Sequence, residues 1–313
     1  MPVVSIRHLT TYRYRNPVAF GEHRMMFRPL ESYDQRLLSA DLTISPDPSV
    51  LHAVQDVFGN CVGIARFGAR ADRLTFESTV RLEHTPQAAF AGLDAEDAYS
   101  ATLPFAYSPE DLPDLARSME RQHPDPDGEL EAWARRFVRP AGPTSLRTML
   151  TDMTHAIHAD LRYATRLAGA PQAPLETLAL RSGSCRDFAM LMIEAVRSLG
   201  LAARFVSGYV YSSKLRDKGA STGRLGGGHT HAWVRVYLPV CGWVEFDPTN
   251  GLVGAADLVR VAITRDPRQA VPLHGTWAGL PSDYVGMDVT VDVSVEADAA
   301  LQPRPFLRVA QGG

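Results

Sequence analysis

An α+β protein with an antiparallel β region ahead of its core is predicted by three observations. Apolar and polar residues alternate through much of the first 85 positions. Arg186–Leu199 is apolar around most of its circumference and stops at Gly200. Three strand-like segments, Ala203–Ser213, Thr230–Leu238 and Trp243–Asp247, follow directly. A helix that is apolar nearly all round lies inside a protein, and antiparallel strands after it give a sheet to pack against.

Each element has its own signal. In Arg73–Glu83, Leu74, Phe76, Val80 and Leu82 alternate with polar residues, and Val4, Ile6, Tyr12 and Tyr14 do the same. That period belongs to half-buried strands. Asp56, Phe58, Gly59 and Asn60 supply turn chemistry between two apolar runs. Several short strands separated by turns predict an antiparallel β-sandwich over residues 1–85. Residues 86–143 form a linker with weak helical periodicity, broken at His123-Pro-Asp-Pro-Asp-Gly128. Leu146, Met149, Leu150, Met153, Ile157 and Leu161 then recur at helical spacing behind Thr144 or Ser145 as cap. The core is expected over residues 144–265. Residues 266–313 read as an extension with one alternating run, Val289–Val295.

Bulk properties narrow the function. The chain has 313 residues, 45% hydrophobic and 21% charged, with a net charge of −3. It can bury a large core, and no basic run tracks a nucleic acid. No stretch approaches the roughly 20 apolar residues of a membrane span. The N-terminus MPVVSIRHLTTYRYR lacks the apolar region of a secretory leader, and three cysteines (Cys61, Cys185, Cys241) make no disulfide framework. A cytoplasmic location, without nucleic acid or membrane partners, is expected.

Cys185 carries the chemistry. It follows Ser182-Gly183-Ser184, a turn-and-cap sequence, and so occupies the first turn of the buried helix. Free N–H groups and the positive end of the helix dipole there favour thiolate over thiol. The Cys185 N–H itself can meet a developing oxyanion. Pro239-Val-Cys-Gly242 reads as a hairpin connection. If Leu238 pairs with Gly242, then His231, Trp233 and Asp247 share one face and His231 lies diagonal to Asp247. A slip of one residue would separate them. Asp247 is then expected to accept Nδ1–H of the imidazole and leave Nε2 for the thiol. Cys61 and Cys241 are expected to be bystanders. His229 and His231 also share a strand face. Zinc is the alternative there, but a third and fourth ligand at fixed spacing are missing, so neither metal nor cofactor is expected.

The segments GSCRDFA…LGLAARFVSGYV, THAWVRVYLP and GWVEFDPTNG closely resemble the transglutaminase-like superfamily, in its bacterial branch of proposed cysteine proteases. The match covers roughly residues 145–265. The leading β region is similar to the domain that precedes this core in that branch. The resemblance implies a papain-like core with Cys185 as nucleophile, His231 as base and Asp247 as orienting carboxylate. The chain departs from many relatives at Ser184, Arg186 and Met190. It also lacks the tryptophan upstream of the cysteine that completes the oxyanion hole in animal transglutaminases, which leaves Gln172 and Tyr163 as candidate donors beside Cys185. No calcium-loop pattern is present. Asp187 is expected to complement the helix N-terminus. Tyr209 and Tyr211 line the cleft or belong to the core, and Ser212–Gly228 is expected to be a flap over it.

These residues point to acyl transfer through a thioester on a peptide or isopeptide amide. Water as acceptor makes the protein a peptidase or amidase; an amine makes it a transamidase. A non-catalytic peptide-binding module of the same fold is the rival, and its mark would be loss of one of the three residues. All three are present.

Overall fold

The computed structural model describes residues 2–90, 102–166, 169–212, 228–239 and 241–296. The leading β region is built on one long strand, β1 (Val3–Met25). It is followed by β2 (Gln35–Ser45), β3 (Val50–Gln55), β4 (Cys61–Arg66) and β5 (Arg70–His84), in the sheet order β2-β5-β1-β4-β3. The alternation seen in sequence is the burial pattern: Val4, Ile6, Val80 and Leu82 are all buried, with Ile6 opposite Val80.

Five helices follow: α1 (Leu112–Met119), α2 (Glu129–Arg135), α3 (Leu146–Asp160), α4 (Pro174–Leu180) and α5 (Cys185–Ser198). Ser145 caps α3 by accepting from Thr148 N at 3.3 Å. α5 is buried over most of its length, from Cys185 through Arg197. A second sheet carries β6 (Ala203–Val210), β7 (His231–Leu238), β8 (Gly242–Asp247), β9 (Leu252–Val253) and β10 (Leu258–Thr264), ordered β9-β8-β7-β6-β10. Its Val234, Val236 and Phe246 share one core with Phe188, Leu191 and Met192 of α5. This is the helix-on-antiparallel-sheet core expected from sequence.

Two features differ in extent from the sequence reading. The last strands, β11 (Leu273–Ala278) and β12 (Tyr284–Glu296), return to pair with β1. The residues read as an extension therefore complete the first sheet, and its strands are hydrogen-bonded into one sheet of seven. Such pairing joins positions almost a whole chain apart, and the alternation at Val289–Val295 names no partner. Ser182–Gly183 is also extended rather than turned. It pairs in parallel with Arg162–Tyr163, whose neighbour Ala164 donates its N–H to Gly183 O at 2.8 Å.

The two sheets meet face to face. Val4, Ile6, Val80 and Leu82 of the first pack on Tyr209, Tyr211, Val259 and Val261 of the second. Each aliphatic side chain buried there contributes about 2 kcal/mol. Polar groups fix the alignment. Asn60, at the end of the turn noted in sequence, donates to Ile263 O (3.0 Å) and accepts from Ile263 N (2.8 Å). Buried Arg260 binds Asp34 of the first sheet region and Glu245 of β8, the latter at 3.1 Å. Among the described residues no helix is long and apolar enough to cross a membrane.

Arg260→Ala would leave Asp34 buried without its cation, while Glu245 keeps Arg235 at 3.0 Å. Removing one partner of a buried pair costs about 3–5 kcal/mol, so urea unfolding should show a loss of that size. A change within experimental error would show that the pair does not hold the sheets together.

Candidate active site

The expected register is present: Leu238 pairs with Gly242, and the ladder continues to Val234 opposite Phe246. Alternate residues Ala232, Val234 and Val236 face the α5 core. His231 and Trp233 take the other face, their rings stacked at 6.0 Å and 27°. His231 Nε2 is 2.8 Å from Asp247 Oδ2, and both side chains are fully buried. Asp247 also accepts Thr249 N at 2.9 Å, Asn250 N at 3.3 Å and Asn250 Nδ2 at 2.8 Å. The turn after β8 thus wraps its backbone around the carboxylate.

This corrects the expected ring orientation. Asp247 takes Nε2, not Nδ1, because a carboxylate reaching across from the neighbouring strand meets the outer nitrogen. Residue spacing carries no information about that rotamer. Nδ1 is buried and has no hydrogen-bond partner among the described residues, so it is the nitrogen left for the thiol. Cys185 lines the same cleft as His231.

Burial alone would push the His231 pKa down. The Asp247 charge and hydrogen bond, together with the nearby Cys185 sulfur, outweigh it and raise the value to about 10. Burial would likewise raise Asp247, but the His231 charge and hydrogen bond and the Asn250 donors lower it. The buried pair is therefore imidazolium and carboxylate at neutral pH.

The helix start is held by Asp187, which is fully buried. It accepts Ser184 N (2.7 Å), Ser184 Oγ (2.8 Å), Gln172 N (2.7 Å) and Arg166 Nη2 (2.6 Å). One carboxylate thereby ties Arg166 and Gln172 to the residue before Cys185. Gly183 is required beside it, since a Cβ there would stand 2.8 Å from Asp187 Cβ.

The remaining candidates separate clearly. Tyr163 lines the cleft with Cys185 and stacks edge-on to Phe188. Burial, then the Cys185 sulfur, raises its phenol pKa, which keeps it a proton donor. Gln172 does not line the cleft; its Oε1 accepts from Thr177 Oγ1 at 3.2 Å. Trp233 backs the imidazole from within the core. Tyr209 lies in the interface between the sheets, its hydroxyl 2.9 Å from His8 Nδ1, and Tyr211 is buried beside it. The expected flap falls almost wholly outside the described residues. Among those residues, no group of three or more His, Cys, Asp and Glu could hold a metal.

Sequence reasoning missed Asn250, His158 and the share of the cleft wall that the first sheet supplies. Asn250 completes the Asp247 turn, and the signal available was its place in Asp-Pro-Thr-Asn-Gly. His158 Nδ1 donates to Thr249 O at 2.8 Å, supporting that turn from α3. His8, Thr10 and Tyr12 of β1 and Met287 and Val289 of β12 form part of the cleft wall. No local signal marks them.

A buried cysteine at a helix start beside a strand-borne imidazole and carboxylate defines the class of cysteine-centred, papain-like cores. Residues 131–248 match the transglutaminase-like superfamily, and residues 4–83 match the bacterial transglutaminase-like N-terminal region. An uncharacterized protein of Mycobacterium tuberculosis is 30% identical over 305 residues, covering 94% of this chain and 93% of the relative. Another, of Mycobacterium leprae, is 32% identical over 134 residues, 43% of this chain and 45% of the relative. Among solved structures, a proposed cysteine protease from Cytophaga hutchinsonii has a TM-score of 0.68 at 18% identity, covering 98% of this chain and 94% of that one. The chain belongs to the transglutaminase-like superfamily.

Because its folded-state pKa is raised, His231 stabilises the fold fully below about pH 6.5. That contribution is lost as pH climbs through the raised value. By NMR titration, His231 should stay protonated through pH 8 in the native protein. In Asp247→Ala, with burial unopposed by the carboxylate, it should titrate much lower. A native value near that of an exposed imidazole would contradict the charge assignment.

Proposed function

We propose that the protein hydrolyses a peptide or isopeptide amide through a thioester on Cys185. The observation that carries this reading is the single imidazole whose one nitrogen is bound by a buried carboxylate while the other is left for the thiol. Asp247 fixes the ring and stabilises its positive charge, as the carboxylate of a catalytic triad does.

The Cys185 sulfur attacks the amide carbon, forming a C–S bond and placing charge on the carbonyl oxygen. The Cys185 N–H, which has no intrahelical acceptor at the first position of α5, donates to that oxygen. The Tyr163 hydroxyl is the second donor favoured by its place in the cleft. His231 then gives its Nδ1 proton to the leaving amine as the C–N bond breaks. Water enters, loses a proton to Nδ1, and attacks the thioester; the acid leaves and the sulfur returns to its starting state. Membership of a superfamily containing transglutaminases offers an amine as the other acceptor, but no described feature of the cleft marks an amine site.

Iodoacetamide at pH 6, followed by peptide mapping, tests the first step. Cys185 should be captured at least about 10-fold faster than an unperturbed thiol, and His231→Ala should abolish the excess. Incubating a peptide library with and without added amine tests the second. Mass changes should correspond to hydrolysis, and His231→Ala should lower kcat/KM by about 1000-fold. Amine adducts as the main products would make the protein a transamidase. Slow capture with no turnover would make it a peptide-binding module.

A further inference from the structure

The described walls of the cleft carry Arg166, Arg186, His8, His229 and His231, and no aspartate or glutamate. This bias is local, since the whole chain has 35 acidic against 32 basic residues. The cations differ in how they are compensated. His231 is paired with Asp247 and Arg166 with Asp187. Burial, then the nearby His229, pushes His8 down to about 4, so it is neutral at physiological pH. Arg186 donates to Gly169 O at 3.1 Å and Arg166 O at 3.0 Å. Carbonyls position the guanidinium without neutralising it, and Arg186 forms no ion pair among the described residues. It is adjacent in sequence to Cys185. A second donor is also unspent: Arg166 Nε is buried, on the wall of the cleft, with no partner among the described residues.

We propose that the cleft binds acyl donors carrying a carboxylate close to the scissile amide, with Arg186 as its partner, and that the same charge disfavours an ammonium-bearing acceptor. This rests on Cys185 being the nucleophile and extends that reading to a substrate class. A guanidinium binds a carboxylate through paired hydrogen bonds. The carboxylate belongs to an acidic side chain or to a free C-terminus, and both present the same group to Arg186. A lysine-type amine would approach a site of like charge with no acidic residue on the described walls to receive it, which favours water as the acceptor.

Two alkylating agents of nearly equal size test the charge directly, whatever the substrate. Iodoacetate is anionic and iodoacetamide neutral. Their rate ratio at Cys185, resolved from Cys61 and Cys241 by peptide mapping and divided by the ratio for a free cysteine peptide, should exceed about 5. Arg186→Lys should keep most of that preference, and Arg186→Glu should bring the ratio to 1 or below while circular dichroism confirms an intact fold. A native ratio of 1 or less, or one insensitive to Arg186→Glu, overturns the inference. A slow absolute rate with iodoacetamide instead overturns the nucleophile assignment, and the two failures are read separately.

Matched peptides then locate the carboxylate. Peptides with an acidic side chain and an amidated end are compared with neutral peptides bearing a free C-terminus, and with fully neutral and lysine-containing ones. One of the first two sets should be cleaved at least about 10-fold faster than the last two. Arg186→Glu should act mainly by raising KM. Equal cleavage of neutral or lysine-containing peptides would contradict the assignment.

Discussion

The direct pairing of Leu238 with Gly242 is the constraint on which the site depends. Side chains alternate along a strand, so a shift of one residue would put the imidazole and the carboxylate on opposite faces. In the observed register the two are hydrogen-bonded inside the protein, where neither could be buried alone at acceptable cost. The turn after β8 adds three donors to Asp247, and α3 supports that turn through His158. Hairpin register, buried charge and ring orientation are one arrangement.

A second buried carboxylate does for Cys185 what Asp247 does for His231. Asp187 gathers donors from the residue before Cys185, from Arg166 and from Gln172. The start of α5 therefore cannot move independently of one wall of the cleft. Another part of the cleft wall comes from β1 and β12, which an apolar interface and the Arg260 and Asn60 contacts hold against the core. The first sheet is thus part of the site and not only an attached module. Its face toward the core also carries buried polar groups in hydrogen bonds: His8 Nε2 lies 3.0 Å from Thr10 Oγ1, and His84 Nδ1 lies 2.7 Å from the Tyr211 hydroxyl.

Cys185, His231 and Asp247 could be located from sequence because each has a local signature. A Gly-Ser pair precedes a buried helix, and a short hairpin loop joins two apolar strands. The strand pattern of residues 1–85 was legible for the same reason. Contacts made across the chain were not. Pairing of β12 with β1, Arg260 with Asp34, and His8 with Tyr209 all join positions more than 200 residues apart. The expected Nδ1 bond failed for a different reason. It depends on a side-chain rotamer set by where the carboxylate arrives, and alternation along a strand specifies only a face. Tyr209 shows the ambiguity of an aromatic on a buried strand, since its neighbours across the sheet interface belong to another part of the chain.

A sulfur, an imidazole and a carboxylate brought together in this way constitute an acyl-transfer site if a covalent intermediate forms on the sulfur. Acid-quenched mass spectrometry of the protein mixed with a cleaved peptide measures this directly. The account predicts an adduct on the peptide containing Cys185, with the mass of the acyl fragment after loss of the amine, discharged by hydroxylamine and absent from Cys185→Ala. Turnover without such an adduct under rapid quenching, or an adduct on Cys61 or Cys241 instead, would contradict it.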